Sequence, residues 1–424
     1  MDLEQPRASC EALPHGRPPG GRARGRRPVT DPRQDPLRDP RFFADPYPAY
    51  DRLREECPVQ RIPTGSGGRH AYLITGHAEA RQAFTDPRLS KDTGRFFAGR
   101  PSDRDLHPAV SRNMLSSDPP VHTRHRRVAT PLFTTGRVRG LRPFVTRVVD
   151  DLTSAWRPGT EIDLVADLAV PLPVTVVCEL LGVPEADRAS LAEWCHDLFD
   201  ATDTALVDAA SHRIGDHLTA LLDRARATPG DGPLHSFLRD CDEGGLDRDE
   251  AVSLAALLLV AGHETTTHFI GNSVLALLRH PEAFDRLRRD PDLIPGALDE
   301  LLRHDSPVGV ATFRHSTQDL SIGGTAVPAG HPVLIAPGAA NRDPAAFPAP
   351  DRLDLDRDAG AHLSFGHGIH RCPGAPLARA EAETALRTLL TRFPDTRLAV
   401  PPESLTWRRT RLTRGLAALP LALA

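Results

Sequence analysis

The sequence predicts a mainly α-helical fold with a minor β region. Beyond about residue 40, most segments have helical apolar spacing with Pro or Gly between them. No internal repeat of roughly 20 to 50 residues, of the kind that marks a solenoid, is present. Short β-branched or apolar runs at residues 71–75, 320–322 and 332–335 predict strands of a small sheet. The strands are too few and too short to be the main layer of the domain.

The longest helical candidate runs from about residue 249 to residue 279, which is roughly 45 Å at 1.5 Å per residue. Asp247, Asp249 and Glu250 lie at its start, where acidic groups complement the positive end of the helix dipole. Pro281 follows its last turn. We expect this helix to cross the whole domain.

The N-terminal segment differs from the rest of the chain. Residues 1–40 are rich in Pro, Arg and Gly and poor in large apolar side chains, so they cannot repay the entropy of ordering. We interpret them as a disordered tail before one domain of residues 41–424. The pair Arg26-Arg27 resembles a twin-arginine export signal, but the polar and proline-containing residues 28–32 stand where an apolar region is needed. We therefore expect a cytoplasmic protein.

The bulk composition excludes several classes of protein. The 424 residues are 40% hydrophobic and 25% charged, which is ordinary for a globular chain with a large core. A formal net charge of -4 gives no indication of a nucleic-acid binder. Lys91 is the only lysine, a bias typical of a high-GC bacterial genome. The most apolar stretch, residues 254–261, is far shorter than the roughly 18 residues of a membrane span. We expect neither nucleic acid nor membrane as a partner.

One of the six cysteines stands in an unusual loop. Cys372 follows Gly366 and Gly368, precedes Gly374, and is followed by a helical pattern over residues 377–393. The N-terminal dipole and free N–H groups of that helix favour a nearby thiolate, so we expect Cys372 to be anionic. The remaining cysteines are scattered without a CxxC pair, fit a reducing compartment, and are interpreted as small apolar residues: Cys10, Cys57, Cys178, Cys195 and Cys241.

The run FGHGIHRCPGAPLAR at residues 365–379 resembles the haem-binding signature of cytochrome P450 enzymes. The resemblance implies that Cys372 is the proximal thiolate ligand of the iron of haem b. It also places Phe365, Gly366 and Gly374 against the cofactor. A thiolate ligand donates electron density to the iron and thereby favours cleavage of the O–O bond.

The long helix carries the run AGHETT at residues 261–266, which resembles the acid-alcohol pair of the same family. The resemblance implies that Glu264 and Thr265 supply protons to dioxygen, and that Ala261 lies against the haem. Gly262 is expected to leave space for oxygen and to loosen the helix locally. A zinc protease is the competing interpretation, since His263 and Glu264 begin a pattern similar to HExxH. His268 stands one residue too far along, so the two histidines are expected to point about 140° apart and not to share a metal.

Two further motifs match the family in order. Glu300 and Arg303 form its ExxR motif, and residues 347–353 resemble the segment whose arginine, here Arg352, completes an ion-pair network. By itself an i,i+3 pair is commonly a solvated surface bridge, worth a few tenths of a kcal/mol. The resemblance implies instead that the network holds the cysteine loop behind the haem.

The run DPPVHTRHRR at residues 118–127 resembles the family's helix at the haem edge. His122 and Arg126 share a helical face at this spacing and are implied to bind the haem propionates. By the same match, Arg314 and His370 complete the set. The neighbouring Arg124 and Arg127, with Arg371, are candidates for a docking face toward an acidic partner, although each alone is more often solvated surface charge.

Together these motifs span residues 40–424 and imply one α-rich domain with the haem between the long helix and the cysteine loop. The implied activity inserts one atom of O₂ into a largely hydrophobic small molecule in secondary metabolism, with electrons from a separate ferredoxin and its reductase. Leu257, Ala261 and Val310 are expected in an apolar pocket wall, which is compatible with a natural-product, terpenoid or steroid-like substrate. The covering regions 90–112 and 168–210 do not identify it.

Two other classes of haem protein stay open at this point. A peroxygenase takes peroxide and needs no reductase, and a catalytically silent haem protein would serve only as a recruitment platform. The presence of both Glu264 and Thr265 argues against each of them.

Overall fold

A computed structural model describes Leu37 and residues 40–64, 70–99, 104–200 and 203–424, without the side chains of residues 40, 199 and 200. The predicted disordered tail, apart from Leu37 and the backbone of Pro40, lies outside the described residues. The predicted division of the chain at residue 40 stays a prediction.

The described chain is mainly α-helical with small sheets, which confirms the predicted fold class. Its α-helices are α1 (Pro40–Ala44), α2 (Tyr47–Glu56), α3 (His77–Thr85), α4 (Thr93–Phe97), α5 (Pro108–Ser111), α6 (Val121–Ala129), α7 (Thr135–Leu152), α8 (Pro171–Leu181), α9 (Glu185–Asp200), α10 (Thr204–Ala227), α11 (Pro233–Glu243), α12 (Arg248–Arg279), α13 (Pro281–Arg289), α14 (Ile294–His304), α15 (Pro337–Ala340) and α16 (Ala375–Arg392). A π-helical turn covers Val165–Ala169, and 3-10 turns cover Met114–Ser116, Thr130–Phe133, Pro291–Leu293, Gly368–His370 and Pro402–Ser404.

The strands are short and form three sheets. They are β1 (Val59–Pro63), β2 (His70–Ile74), β3 (Leu89–Ser90), β4 (Glu161–Asp163), β5 (Arg314–Ser316), β6 (Leu320–Ile322), β7 (Thr325–Val327), β8 (Pro332–Ile335), β9 (Arg397–Leu398) and β10 (Pro420–Ala422). The largest sheet has the order β1-β2-β8-β5-β3, and the others are β4-β10-β9 and the pair β6-β7. Among the described strands only β2 and β8 pair in parallel, with Tyr72 opposite Val333. The three predicted strands are β2, β6 and β8.

Helix α12 confirms the predicted long helix almost to the residue. Asp247 caps it, since its side chain accepts the N–H of Glu250 at 2.8 Å while the Glu250 side chain accepts the N–H of Asp247 at 3.1 Å. The helix packs against α5, α8, α10 and α16. Most of its residues are therefore buried whichever way they face, as expected of a helix in the centre of a core.

Two expectations about this core were wrong. Helix α12 continues unbroken through Gly262, so the expected local loosening is absent there, and a Cβ atom at this position would make only an ordinary contact, 3.4 Å from Cγ2 of Val177. Val310 packs in a small cluster with Tyr50 and Leu73 and takes no part in the pocket wall. Among the described residues, no helix is both long and apolar enough to cross a bilayer.

Candidate functional site

A cavity lies between α12 and the loop that carries Cys372. Ten of the eleven residues predicted for the site line it, and the exception is Glu264. The lining members are His122, Arg126, Ala261, Thr265, Arg314, Phe365, Gly366, His370, Cys372 and Gly374. Residues from four segments, as far apart in sequence as 122 and 374, thus meet at one cavity, although their roles there stay predictions.

The cysteine loop is closed by its own backbone. The N–H of Cys372 donates to the carbonyl of Phe365 at 2.8 Å. Gly366 and Gly368 have φ of +70° and +75°, a conformation that residues with a Cβ rarely adopt. A Cβ on Gly368 would also stand 2.8 Å from the Phe84 carbonyl oxygen. The glycines therefore allow a turn that presents Cys372 to the cavity at the start of α16.

Burial and the start of α16 act on the pKa of the Cys372 thiol in opposite directions. Its side chain is exposed at the cavity surface, yet the surrounding protein raises its pKa through burial, against the opposing effect of the Gly374 and Ala375 N–H groups and the Arg126 guanidinium. The predicted N–H groups are present at the helix start and oppose the effect of burial, and the anionic state of Cys372 stays a prediction. A coordinating metal ion removes the proton of a thiol, so this donor fits a thiolate whose charge a bound metal neutralises.

One wall of the cavity carries five basic side chains, which we call the cation wall: Lys91, His122, Arg126, Arg314 and His370. Burial lowers the pKa of each, to about 10 for Arg314 and to about 2 for His370. The ring centroids of His122 and His370 lie 4.2 Å apart. Nε2 of His122 has no hydrogen-bond partner in the described part of the chain. Such a wall fits a ligand that carries carboxylates, as haem does, because an anion would offset the desolvation of these groups. No motif pointed to Lys91.

Glu264 lies behind the cavity wall in a polar cluster. Its Oε1 is 2.9 Å from Nε2 of His268 and 3.2 Å from Nη1 of Arg408. Its Oε2 is 3.5 Å from Nε2 of His263. Burial raises the pKa of Glu264, but the two histidines together lower it by a larger amount, so the net pKa shift is downward. Both histidines contact Glu264 although they point apart on the helix. The sequence argument against a shared metal site did not predict these contacts.

Gly415 makes this arrangement possible. A Cβ at that position would stand 1.8 Å from Nδ1 of His268, and the Gly415 carbonyl accepts the N–H of Arg408 at 3.0 Å. The C-terminal segment therefore delivers Arg408 to Glu264 and leaves room for His268. Nothing in the sequence near Glu264 indicates a partner from residue 408.

Thr265 is the member of the acid-alcohol pair that faces the cavity. Its hydroxyl donates to the carbonyl of Ala261 at 3.1 Å, and both residues line the cavity. Glu264 and Thr265, although adjacent in sequence, therefore present their side chains to different environments.

The ExxR pair is buried, and its network, which we call the Glu300 network, comprises Glu300, Arg303 and Arg357. Nε of Arg303 donates to Oε2 of Glu300 at 2.6 Å, and Nη2 donates to Oε1 at 2.8 Å. The second arginine on Glu300 is Arg357, whose Nε lies 3.3 Å from Oε1. The prediction of Arg352 was wrong: its side chain is exposed, and only its carbonyl accepts from Arg303. The turn after residue 352 brings the later arginine inward.

The network is connected to the cysteine loop through Ser364 and Asn341. Nη1 of Arg303 donates to the Asn341 carbonyl at 3.0 Å, and the Asn341 amide donates to the Ser364 hydroxyl at 2.8 Å. That hydroxyl donates to the Leu302 carbonyl of α14 at 2.8 Å. Because Ser364 immediately precedes Phe365, these contacts attach the start of the cysteine loop to α14.

Other predicted residues have simpler surroundings. Cys178, Cys195 and Cys241 are buried free thiols, which confirms their interpretation as apolar residues. Arg124 pairs with Glu250, and Arg127 donates to the Gly244 carbonyl at 2.6 Å, so both are attached to the protein itself. Arg371 is exposed.

Comparison with known proteins agrees with these motifs. The family model "Cytochrome P450" matches residues 205–411. Cytochrome P450 107B1 of Saccharopolyspora erythraea is 44% identical over 391 residues, 90% of this chain and 96% of that protein. Cytochrome P450 monooxygenase PikC of Streptomyces venezuelae is 44% identical over 384 residues, 90% of this chain and 91% of that protein.

The chain belongs to the cytochrome P450 family.

A solved structure gives the same assignment from the fold. The tirandamycin C-bound P450 monooxygenase TamI superposes with a TM-score of 0.84 at 43% identity, over 91% of this chain and 99% of that one. The protein is a haem-thiolate monooxygenase with the P450 fold. A haem iron, O₂, an organic substrate and redox partners belong to this family's chemistry.

Proposed function

We propose that this P450 binds haem b through Cys372 and uses O₂ to hydroxylate or epoxidise a largely hydrophobic small molecule of secondary metabolism. The observation that carries the proposal is one cavity that Cys372, Ala261, Thr265 and the cation wall line together. The haem supplies the activation of dioxygen, of which one atom enters the substrate and the other leaves as water.

The roles of the protein side chains follow from their positions. Phe365, Gly366 and Gly374 would pack against the cofactor, and His122, Arg126, Arg314 and His370 would hold its propionates. The Thr265 hydroxyl is the proton donor at the cavity. Glu264 lies behind the cavity wall, among His263, His268 and Arg408, and is the acid that supplies the protons. Since Glu264 does not line the cavity, it acts through Thr265 or through water and does not touch the substrate.

The wall on the α12 side supports a hydrophobic substrate. Apolar side chains from four segments line the same cavity as Thr265: Met114, Leu115, Val177, Leu257 and Val308. Such a surface favours an apolar ligand with few polar groups. The similar TamI binds tirandamycin C, which favours a natural product as the substrate class. Screening compounds for a ligand-induced spin-state shift would identify members of that class.

Electrons are proposed to come from a separate iron-sulfur ferredoxin and its reductase in the cytoplasm. Exposed Arg371 beside the cysteine loop is the best placed of the three predicted docking arginines, since Arg124 and Arg127 are engaged within the protein. Product formation with ferredoxin and O₂, but not with peroxide alone, is the result expected of a monooxygenase. Efficient turnover with peroxide alone would favour a peroxygenase, and absence of turnover with either would favour a silent haem protein.

The first test is Cys372→Ser. We expect the wild-type holoprotein to give the red-shifted Soret band of a thiolate-ligated, reduced carbon monoxide complex, and the variant to lack it. Cys241→Ala, which removes a buried thiol on α11, is the control that should keep the band. An unchanged band in Cys372→Ser would overturn the assignment of the axial ligand.

A further inference from the structure

The only lysine of the chain is buried in the cavity wall. Lys91 follows β3 and is 2% exposed. Its N–H donates to Oδ1 of Asp118 at 3.0 Å, and its Nζ donates to the hydroxyl of Thr312, which also lines the cavity. Lysine is almost never fully buried unless its charge is paired, so this position calls for a partner.

The protein does not supply that partner. Within the described residues no carboxylate forms an ion pair with Nζ of Lys91, and Thr312 is its one side-chain acceptor. Asp118 is the nearby acid, but its hydrogen bonds go to the backbone N–H of Lys91 and to the hydroxyl of Ser90, and Nζ of Lys91 donates to Thr312 instead. An ammonium group has three N–H donors, so two of them are left for a ligand in the cavity.

The neighbouring charges on the wall are of the same sign. Burial, followed by the guanidinium of Arg314, lowers the pKa of Lys91 well below its ordinary value, and Asp118 opposes this only in part. Lys91 in turn lowers the pKa of His370 and of His122, after the larger effect of burial on each. A bound anion would reverse this balance for all three groups, because each would then be stabilised in its charged form.

We propose that Lys91 binds a carboxylate of the haem cofactor alongside Arg314 and His370, and that the cofactor rather than the protein keeps the Lys91 ammonium charged. This inference rests on the proposed haem site and adds a residue that none of the sequence motifs contains. If the inference is correct, the charge of Lys91 strengthens cofactor binding only when the cofactor carries its propionates, and the porphyrin ring alone does not respond to it.

The experiment is a cycle of two proteins and two cofactors. Wild-type chain and Lys91→Met, which keeps the length and apolar character of the stem, are each loaded with haem b or with its dimethyl ester, which lacks the carboxylate charge. Loss of cofactor to excess apomyoglobin is then timed. We expect Lys91→Met to lose haem b about tenfold faster than the wild type, as for a lost charge-assisted hydrogen bond, and to lose the ester at the wild-type rate.

Each outcome of the cycle has one meaning. Equal loss of haem b from both proteins, or the same acceleration with haem b and with the ester, would overturn the role of Lys91. Thr312→Val is the matched control, because it removes the protein partner of Nζ and keeps the amine. If Thr312→Val lost haem b as fast as Lys91→Met, Lys91 would act through Thr312 and the inference would be wrong. Failure of the wild type to take up haem b at all would instead refute the proposed function.

A second measurement needs no substitution. Because Lys91 is the only lysine, one peptide reports the acylation of its amine by mass spectrometry. The pH at half-maximal acylation measures protonation, whereas shielding by a bound ring lowers the rate at every pH without moving that midpoint. We expect a higher midpoint with haem b than with the ester. The same midpoint for both cofactors would contradict the inference.

Discussion

The Glu300 network and the cation wall are two buried groups of charges with opposite arrangements. In the Glu300 network a carboxylate lies between two arginines, and the remaining Arg303 donors bind the carbonyls of Asn341, Pro350 and Arg352. In the cation wall Asp118 is the opposing charge near Lys91, His122 and Arg314, and burial lowers the pKa of all five basic groups.

This difference separates a structural role from a binding role. A buried charge whose partners are all within the protein is satisfied in the folded chain, and its purpose is to hold segments together. A buried group of like charges is costly in the folded chain alone and is stabilised only by a ligand of opposite charge. Buried arginine occurs in both groups, so residue type does not distinguish them. Their partners do.

We expect the largest effect on the free energy of unfolding from a substitution in the Glu300 network, where the charges neutralise each other. Arg303→Ala leaves Glu300 buried beside only the more distant Arg357 and removes three contacts to backbone carbonyls, which should cost about 3–5 kcal/mol of unfolding free energy. Chemical denaturation of the purified variant measures this. Arg289→Ala, which breaks an exposed pair with Asp285 at 3.4 Å, is the control and should cost about 0.5 kcal/mol or less. Equal losses would show that the Glu300 network is not the structural one.

Substitutions in the cation wall should reduce the retention of the cofactor. Arg126→Ala is expected to lose haem about tenfold faster than the wild type, because Arg126 lines the cavity and a charge-assisted bond to a propionate is lost. Arg127 is adjacent but exposed and donates to the Gly244 carbonyl, so Arg127→Ala should retain haem like the wild type. Timed transfer of haem to apomyoglobin gives both rates. Equal rates in the two variants would mean that the wrong face of α6 has been assigned to the cofactor.

The two groups also differ in how far the sequence predicted them. Local spacing defined α12, the cysteine loop and the shared face of His122 and Arg126, because each depends on helix periodicity or on glycine conformation. The choice of Arg357 over Arg352 depends on how an irregular turn folds back on α14. Similarly, Lys91 and Arg408 reach their sites through tertiary packing, with Arg408 lying 144 residues from Glu264 in sequence. No short pattern encodes such contacts.

Thr265→Ala should have the smallest effect on the resting protein and still change its chemistry. Thr265 belongs to neither charged group, and its hydroxyl is satisfied by the Ala261 carbonyl at 3.1 Å, so stability and haem retention should stay near wild type. The hydroxyl is needed only after dioxygen enters, when a proton must be held in the cavity. Reducing equivalents should therefore be diverted from product to peroxide. The measurement is product and peroxide formed per electron consumed, with saturating ferredoxin and a compound found by its spin-state shift. Thr267 is only 1% exposed, does not line the cavity and donates its hydroxyl to the Ala169 carbonyl at 2.8 Å, so the control Thr267→Ala should remain coupled. If Thr265→Ala were as fast and as fully coupled as the wild type, proton supply from Glu264 would have to reach the cavity without Thr265, through water or a hydroxyl of the substrate.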